Sequence, residues 1–226
     1  MLGPGVRIGT ASTNTKTKEG MRFRPTIIVL AAGRGSRFRG DQHKLQQDIG
    51  SLSVLESTLG HVMASGLPHV VVTTAPLLAV TCQHVAERDV VVLPEAGLDT
   101  RLGMGYSIAS GVCARSDAPG WLVLPADMPL VTPQTLVAVG AALEHHPVAY
   151  AQHRGRRGHP VGFAAELYSE LATLSGDEGA RRLTVRYPAC AVEVDDPGVL
   201  MDVDTLEDLS ALRAHRGAAG AASATM

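Results

Sequence analysis

Apolar positions along the chain fall into short continuous runs separated by stretches of helical spacing. Thr26-Ile-Ile-Val29, Val70-Val-Val-Thr73, Val90-Val-Val-Leu93 and Trp121-Leu-Val-Leu124 are β-branched or aromatic runs of strand length. A strand that is apolar on both sides is buried on both faces, as in a parallel sheet covered by helices. Between the first two runs, Leu55, Leu59, Val62 and Met63 form a helical stripe. It opens on a capping box, Ser53-Val-Leu-Glu56, and closes at Gly66. Further helices are predicted over 77–87, over 105–114, and from Thr132-Pro133 to about His145. There Thr132 serves as N-cap and Pro133 takes the first helical position. The alternation predicts a single three-layer α/β domain, Rossmann-like, with a mostly parallel central sheet and helices on both faces.

From Val148 onward the pattern changes. Val148-Ala-Tyr-Ala151 and Ala191-Val-Glu-Val194 read as shorter strands around a basic glycine turn, Gly155-Arg-Arg-Gly-His-Pro160, and two helices. A last helix starts at Thr205, with Asp208 three residues on. The polar Met1–Gly20 stretch is expected to be a disordered extension, residues 21–213 the domain, and 214–226 a flexible Ala/Gly-rich tail.

Composition narrows the class. A chain of 226 residues with 45% hydrophobic and 19% charged content can bury one sizeable core. A net charge of −2 argues against a nucleic-acid partner. No apolar run approaches the ~20 residues of a membrane span. Cys82, Cys113 and Cys190 are far apart, have no metal-ligand spacing and read as small buried hydrophobes, which suits a reducing cytoplasm. Histidines other than His159 read as surface residues.

The candidate chemistry begins where the first strand ends, in Leu30-Ala-Ala-Gly-Arg-Gly-Ser-Arg-Phe38 followed by Lys44. Small residues and glycines let backbone N–H groups approach an anion closely, and Arg34, Arg37 and Lys44 surround the loop with positive charge. A dinucleotide fingerprint would need a third glycine where Phe38 stands. A P-loop would need Lys-Ser/Thr where Asp41 follows Gly40. The loop therefore reads as a triphosphate cradle of another kind.

This loop resembles the signature of the nucleotidyltransferases that build sugar nucleotides and molybdopterin dinucleotides. Leu124-Pro-Ala-Asp-Met-Pro129, Gly155–Phe163, Gly176-Asp-Glu-Gly-Ala-Arg-Arg182 and Asp202-Val-Asp-Thr-Leu-Glu-Asp208 occur in the same order as in that superfamily. The molybdenum cofactor cytidylyltransferase group is the nearest in pattern, from about Arg24 to about Arg213. The resemblance implies a GT-A-like nucleotidyltransferase fold and a Mg²⁺ cofactor. It makes Arg37 and Lys44 the catalytic cationic clamp. It assigns nucleotide contacts to Leu30, Ala31, Ala32, Gly33, Gly35, Ser36, Arg37, Lys44, Thr73, Gly103 and Ser107. Asp127 and Asp202 become the metal ligands, with Asp204 supporting the turn, and Arg157, His159 and Arg181 face the acceptor. Phe38, Ala126 and Tyr106 depart from the commonest residues of the pattern.

The reaction this resemblance implies is transfer of CMP from CTP to a molybdopterin-type cofactor, with pyrophosphate released. Ala32 in place of a second glycine leans toward the cytidylyl branch. A molybdenum hydroxylase apoenzyme is the partner such a product implies, with no nucleic acid and no membrane. Other readings are a guanylyl- or sugar-phosphate nucleotidyltransferase, a carrier that turns over no nucleotide, and a pterin- or nicotinamide-linked oxidoreductase. The Lys44, Asp127 and Asp202 set favours catalysis, since a carrier needs no metal site.

Overall fold

The structure is a computed structural model that describes residues 23–33, 35, 38, 42–94 and 103–223. The expected N-terminal extension lies outside the described residues. Among the described residues there are seven strands: β1 (Thr26–Ala31), β2 (His69–Thr74), β3 (Val90–Leu93), β4 (Gly120–Pro125), β5 (Val148–His153), β6 (Arg156–Ala164) and β7 (Ala189–Glu193). The α-helices are α1 (Val54–Ala64), α2 (Ala75–Thr81), α3 (Met104–Ala114), α4 (Pro133–Ala142), α5 (Tyr168–Leu171), α6 (Arg181–Arg186) and α7 (Leu206–Ser223).

The strands form one sheet in the order β3-β2-β1-β4-β6-β5-β7. Strands β3, β2, β1 and β4 run parallel, β6 is antiparallel to β4 and β5, and β7 is parallel to β5. Alternate residues of each buried strand feed two cores. On one face Ile27, Val29, Leu122 and Leu124 meet Leu55 and Leu59 of α1, Leu136 of α4 and Leu209 of α7. On the other, Ile28, Val72, Trp121 and Phe163 meet Ile108 of α3, Leu171 of α5 and Leu183 of α6. This is the expected three-layer α/β architecture, and each fully buried aliphatic side chain contributes roughly 1.5–3 kcal/mol. Among the described residues, no helix is long and apolar enough to cross a membrane.

Several local signals hold. Ser53 and Glu56 form the reciprocal capping box at α1. Thr205 and Asp208 bond each other's backbone N–H groups ahead of α7, at 2.8 and 3.1 Å. Helix α2 is shorter than the periodicity predicts and ends at Thr81, whose hydroxyl bonds the Leu77 carbonyl. Helix α4 ends at Ala142. Helix α7 continues through Ser223, past the boundary drawn at 213. Two of the three cysteines correct the expectation of burial: Cys82 and Cys113 are exposed at helix ends, and Cys190 is partly buried.

The largest difference is β6. The basic segment Gly155–Pro160 is not a loop: only Arg154 and Gly155, both with positive φ, make the turn, and Arg156 already pairs with His153. Two residues of positive φ between paired strands make a tight hairpin. The strand hides because its inward positions on one face are Gly158, Pro160 and Gly162. At Gly158 a side chain would collide with the Val199 carbonyl, so glycine lets β6 close against the Pro197–Leu200 turn. Val161 and Phe163 fill the opposite face.

That turn is pinned by Asp196, a buried carboxylate. Its Oδ2 accepts from the Thr132 N–H at 2.9 Å, the Thr132 hydroxyl at 2.9 Å and the Thr135 hydroxyl at 2.6 Å. Its Oδ1 accepts from the Gly198 N–H at 3.0 Å. Removing it strands several buried donors at once. Asp196→Ala is expected to lower unfolding free energy by about 2–4 kcal/mol. Urea unfolding of the variant checks this, and a loss below about 0.5 kcal/mol, the range of neutral surface changes, would contradict it.

Candidate active site

Strands β2 and β3 lie to one side of β1 and β4 to the other, so the chain reverses its winding between β1 and β4. Ligands of open α/β sheets bind at such a point, outside the carboxyl ends of the strands. Leu30 and Pro125 are in register there. Asp127 comes just after and is fixed by its neighbours' backbone. The Ala126 N–H donates to the Leu30 carbonyl at 3.0 Å, and the Val203 N–H donates to the Asp127 carbonyl at 3.0 Å. The buried Thr58 hydroxyl donates to the Ala126 carbonyl at 2.8 Å.

Lys44 enters the same place from the short 3₁₀ turn Lys44–Gln46. It is 9% exposed, and its Nζ donates to Asp127 Oδ2 at 2.5 Å and to Asp204 Oδ1 at 2.8 Å. Burial alone would lower the ammonium's pKa. The charges and hydrogen bonds of Asp127 and Asp204 outweigh that and hold it above its ordinary value. Lys44 is therefore a buried, charged clamp joining three distant parts of the chain.

His43 belongs to the site although no motif singles it out. Its Nδ1 accepts from the Leu45 N–H at 3.2 Å, which leaves Nε2 to donate to the Gly33 carbonyl 3.1 Å away. It thereby ties the loop after β1 to the Lys44 turn. The partly buried Phe38 packs on the first core, and its N–H bonds the Gly35 carbonyl at 2.8 Å. Leu30 is part-buried, Ala31 buried, Ala32 part-buried and Gly33 exposed at the strand's end. Arg34, Ser36 and Arg37 lie outside the described residues.

Asp202 and Asp204 flank Val203, which is fully buried in the first core. Asp204, expected to support the turn, sends its carboxylate to Lys44. Asp202 is exposed; loss of surrounding water, then the charges of Asp127, Asp204 and Asp208, raise its carboxyl above the usual range. Asp202 thus feels the charges of its acidic neighbours, while Asp204 bonds Lys44 directly.

Strand β6 carries His159 to the edge of this cluster. Burial lowers the imidazole's pKa, with the Asp127 charge opposing and the Arg157 charge assisting, so His159 is neutral near pH 7. The exposed Arg157 stacks its guanidinium over the Tyr150 ring, 4.4 Å from the centroid. His153, expected at the surface, is buried, with Nδ1 2.9 Å from the Val194 carbonyl.

Among the described residues, no bond joins the other sequence candidates to this cluster. Thr73 is in register with Ala31 but fully buried, and its hydroxyl has no partner among the described residues. The Ser107 hydroxyl bonds the Gly103 carbonyl of its own helix at 3.2 Å. Gly103 is a close-approach position, where a side chain would strike Asp177 and the Gly176 backbone. Arg181 is exposed on α6 and lines a surface hollow of about 660 Å³ with Asp177, Glu178 and Arg186. No described contact joins it to Lys44 or Asp127.

The model of the MobA-like NTP transferase domain matches residues 27–192. The chain belongs to that family. The purine catabolism protein PucB of Bacillus subtilis is 32% identical over 210 residues, covering 82% of this chain and 94% of PucB. The manganese complex of Rv0371C from Mycobacterium tuberculosis H37Rv superposes with a TM-score of 0.68 at 26% identity, over 84% of this chain and 97% of that one. Molybdopterin-guanine dinucleotide biosynthesis protein A of Archaeoglobus fulgidus shares the fold, with a TM-score of 0.61 at 16% identity over 85% and 97% of the two chains.

The chain is thus a nucleotidyltransferase of MobA-like type. Among the described residues no three His, Cys, Asp or Glu side chains are arranged to hold a metal ion. Magnesium seldom needs such a cage, since one or two carboxylates plus substrate phosphates complete its shell. Two observations fit a cation here: an ammonium already lies between Asp127 and Asp204, and Asp127 Oδ1 is buried with no hydrogen-bond partner.

The Thr58 hydroxyl, which also lies 3.0 Å from the Val54 carbonyl of its own helix, is a side-chain donor to the turn that carries Asp127. Thr58→Val keeps the shape but removes the donor to the Ala126 carbonyl. The variant is expected to lose about 1–3 kcal/mol, measurable by urea unfolding; an unchanged midpoint would show that the Asp127 turn does not lean on this bond.

Proposed function

We propose that this chain is a cytidylyltransferase that moves CMP from CTP to the terminal phosphate of a molybdopterin-type cofactor. The reading is supported above all by the buried Lys44 clamp on Asp127 at the carboxyl ends of β1 and β4, in a chain of the MobA-like family. In this reading the loop from Leu30 to Gly35 offers backbone N–H groups to the triphosphate, and Lys44 and Arg37 neutralise its charge. An oxygen of the acceptor phosphate attacks the α-phosphorus, and the bond to the bridging oxygen breaks as pyrophosphate departs. In-line phosphoryl chemistry of this kind depends on positioning and electrostatics.

Mg²⁺, when bound, supplies charge neutralisation at the phosphate oxygens. Asp127 would be its first carboxylate ligand, and either Asp202 or Asp204, which shares the Lys44 ammonium with Asp127, would be the second. The neutral His159 and the Tyr150-stacked Arg157 face the acceptor, since arginine forks match phosphate geometry. The molybdopterin acceptor and the molybdenum hydroxylase that would use the product rest on the motif resemblance. The manganese in the Rv0371C complex supports a divalent ion.

The test is a melting comparison with CTP, GTP and ATP, each with Mg²⁺, beside an assay of pyrophosphate release. CTP at about 100 times its dissociation constant should stabilise the protein by roughly 2.7 kcal/mol, and more than GTP or ATP does. Asp127→Asn should keep the fold and lose pyrophosphate release by on the order of 10²-fold or more. A larger shift with GTP moves the assignment to the guanylyl branch. Full turnover in the Asn variant removes Asp127 from the chemistry.

A further inference from the structure

We propose that Lys44 is a tethered cation that holds the Asp127–Asp204 carboxylate pair until a divalent ion arrives together with nucleotide, and that it then transfers to the phosphates. The inference rests on the nucleotidyl-transfer reading of this site and concerns the order in which it fills. The ammonium lies where a cation would serve both carboxylates, 2.5 Å from Asp127 Oδ2 and 2.8 Å from Asp204 Oδ1. A divalent ion alone must displace it, and the displaced ammonium would then be a buried charge without an anion. Such a group is costly wherever it is placed. With a triphosphate present the displaced ammonium gains a new anion, so the exchange conserves ion pairs.

The surroundings suit such an exchange. Only one Asp127 oxygen is engaged by Lys44, while Oδ1 is buried without a partner. No three acidic, His or Cys side chains among the described residues form a metal cage, so bare metal has few compensating ligands. The Lys44 stem lies against Gly35, where a Cβ would be 3.5 Å from its Cγ, so the side chain passes directly beside the loop assigned to the phosphates. The same lysine would thus make metal and nucleotide bind with positive coupling, and by linkage each must favour the other equally.

The experiment is a Mn²⁺ titration followed by the electron paramagnetic resonance of free Mn²⁺. Wild type, Lys44→Met and Lys44→Gln are each titrated without nucleotide and with CTP, wild type also with GTP and ATP, every nucleotide titration is referenced to the same nucleotide without protein, and circular dichroism confirms folding. Lys44→Gln keeps a polar contact to the carboxylates should the methionine variant not fold. Wild type is expected to bind Mn²⁺ about tenfold or more tightly with CTP than without it. Both lysine variants should bind Mn²⁺ alone about tenfold or more tightly than wild type does, with a smaller gain from CTP. Variants that bind bare Mn²⁺ no better than wild type overturn the exchange, as does wild type whose affinity is already as high without nucleotide. Wild type that fails to bind Mn²⁺ with CTP, GTP or ATP overturns the nucleotidyl-transfer reading itself.

Discussion

A buried ammonium shared by two carboxylates is the interaction on which the site depends. Lys44, Asp127 and Asp204 come from the start, middle and end of the domain, and Lys44 draws them within hydrogen-bond distance of one another. Removing Lys44 would leave two part-buried carboxylates without their cation, which is more costly than losing an exposed ion pair. Much of the nearby backbone keeps this cluster in place. The Leu30 and Ala126 pairing, the Val203 bond to Asp127 and the Thr58 hydroxyl all fix the turn that carries Asp127.

In the proposed reading, the two halves of the sheet divide nucleotide contact from acceptor contact. Its parallel half presents the Leu30 loop and Asp127 at the winding reversal. The antiparallel strand β6, inserted between β4 and β5, then carries His159 and Arg157 in from the other side. Gly158 makes this insertion close, and Asp196 holds the Pro197–Leu200 turn against it. A short span of the same chain, from that turn to Val203 and Asp204, connects the support of β6 to the acidic cluster.

The first half was largely legible in the sequence because its signals are local. Continuous β-branched runs marked β1 to β4, and the Ser53–Glu56 box marked α1. Lys44 stood out only as a positive charge beside a glycine loop, and the motif resemblance was needed to single out Asp127. The second half obeys tertiary rules. Strand β6 alternates charged or apolar residues with Gly and Pro, so its period is invisible until the Val199 carbonyl and the Phe163 core are both in place. Asp204 looks like one more residue beside a cap, because nothing local aims it at Lys44. His43 gave no signal beyond its place next to Lys44, and Asp196 none beyond its position before a proline.

The central claim is that triphosphate chemistry occurs at the Lys44–Asp127 cluster. The most direct measurement is a crystal structure with Mg²⁺ and a CTP analogue whose α,β-bridge is a methylene, so that it cannot turn over. The α-phosphate is expected at the carboxyl ends of β1 and β4, with Lys44 turned from Asp204 to a phosphate oxygen. An analogue seated instead against α6, in the hollow lined by Arg181 and Arg186, with the Lys44 clamp undisturbed, would contradict it.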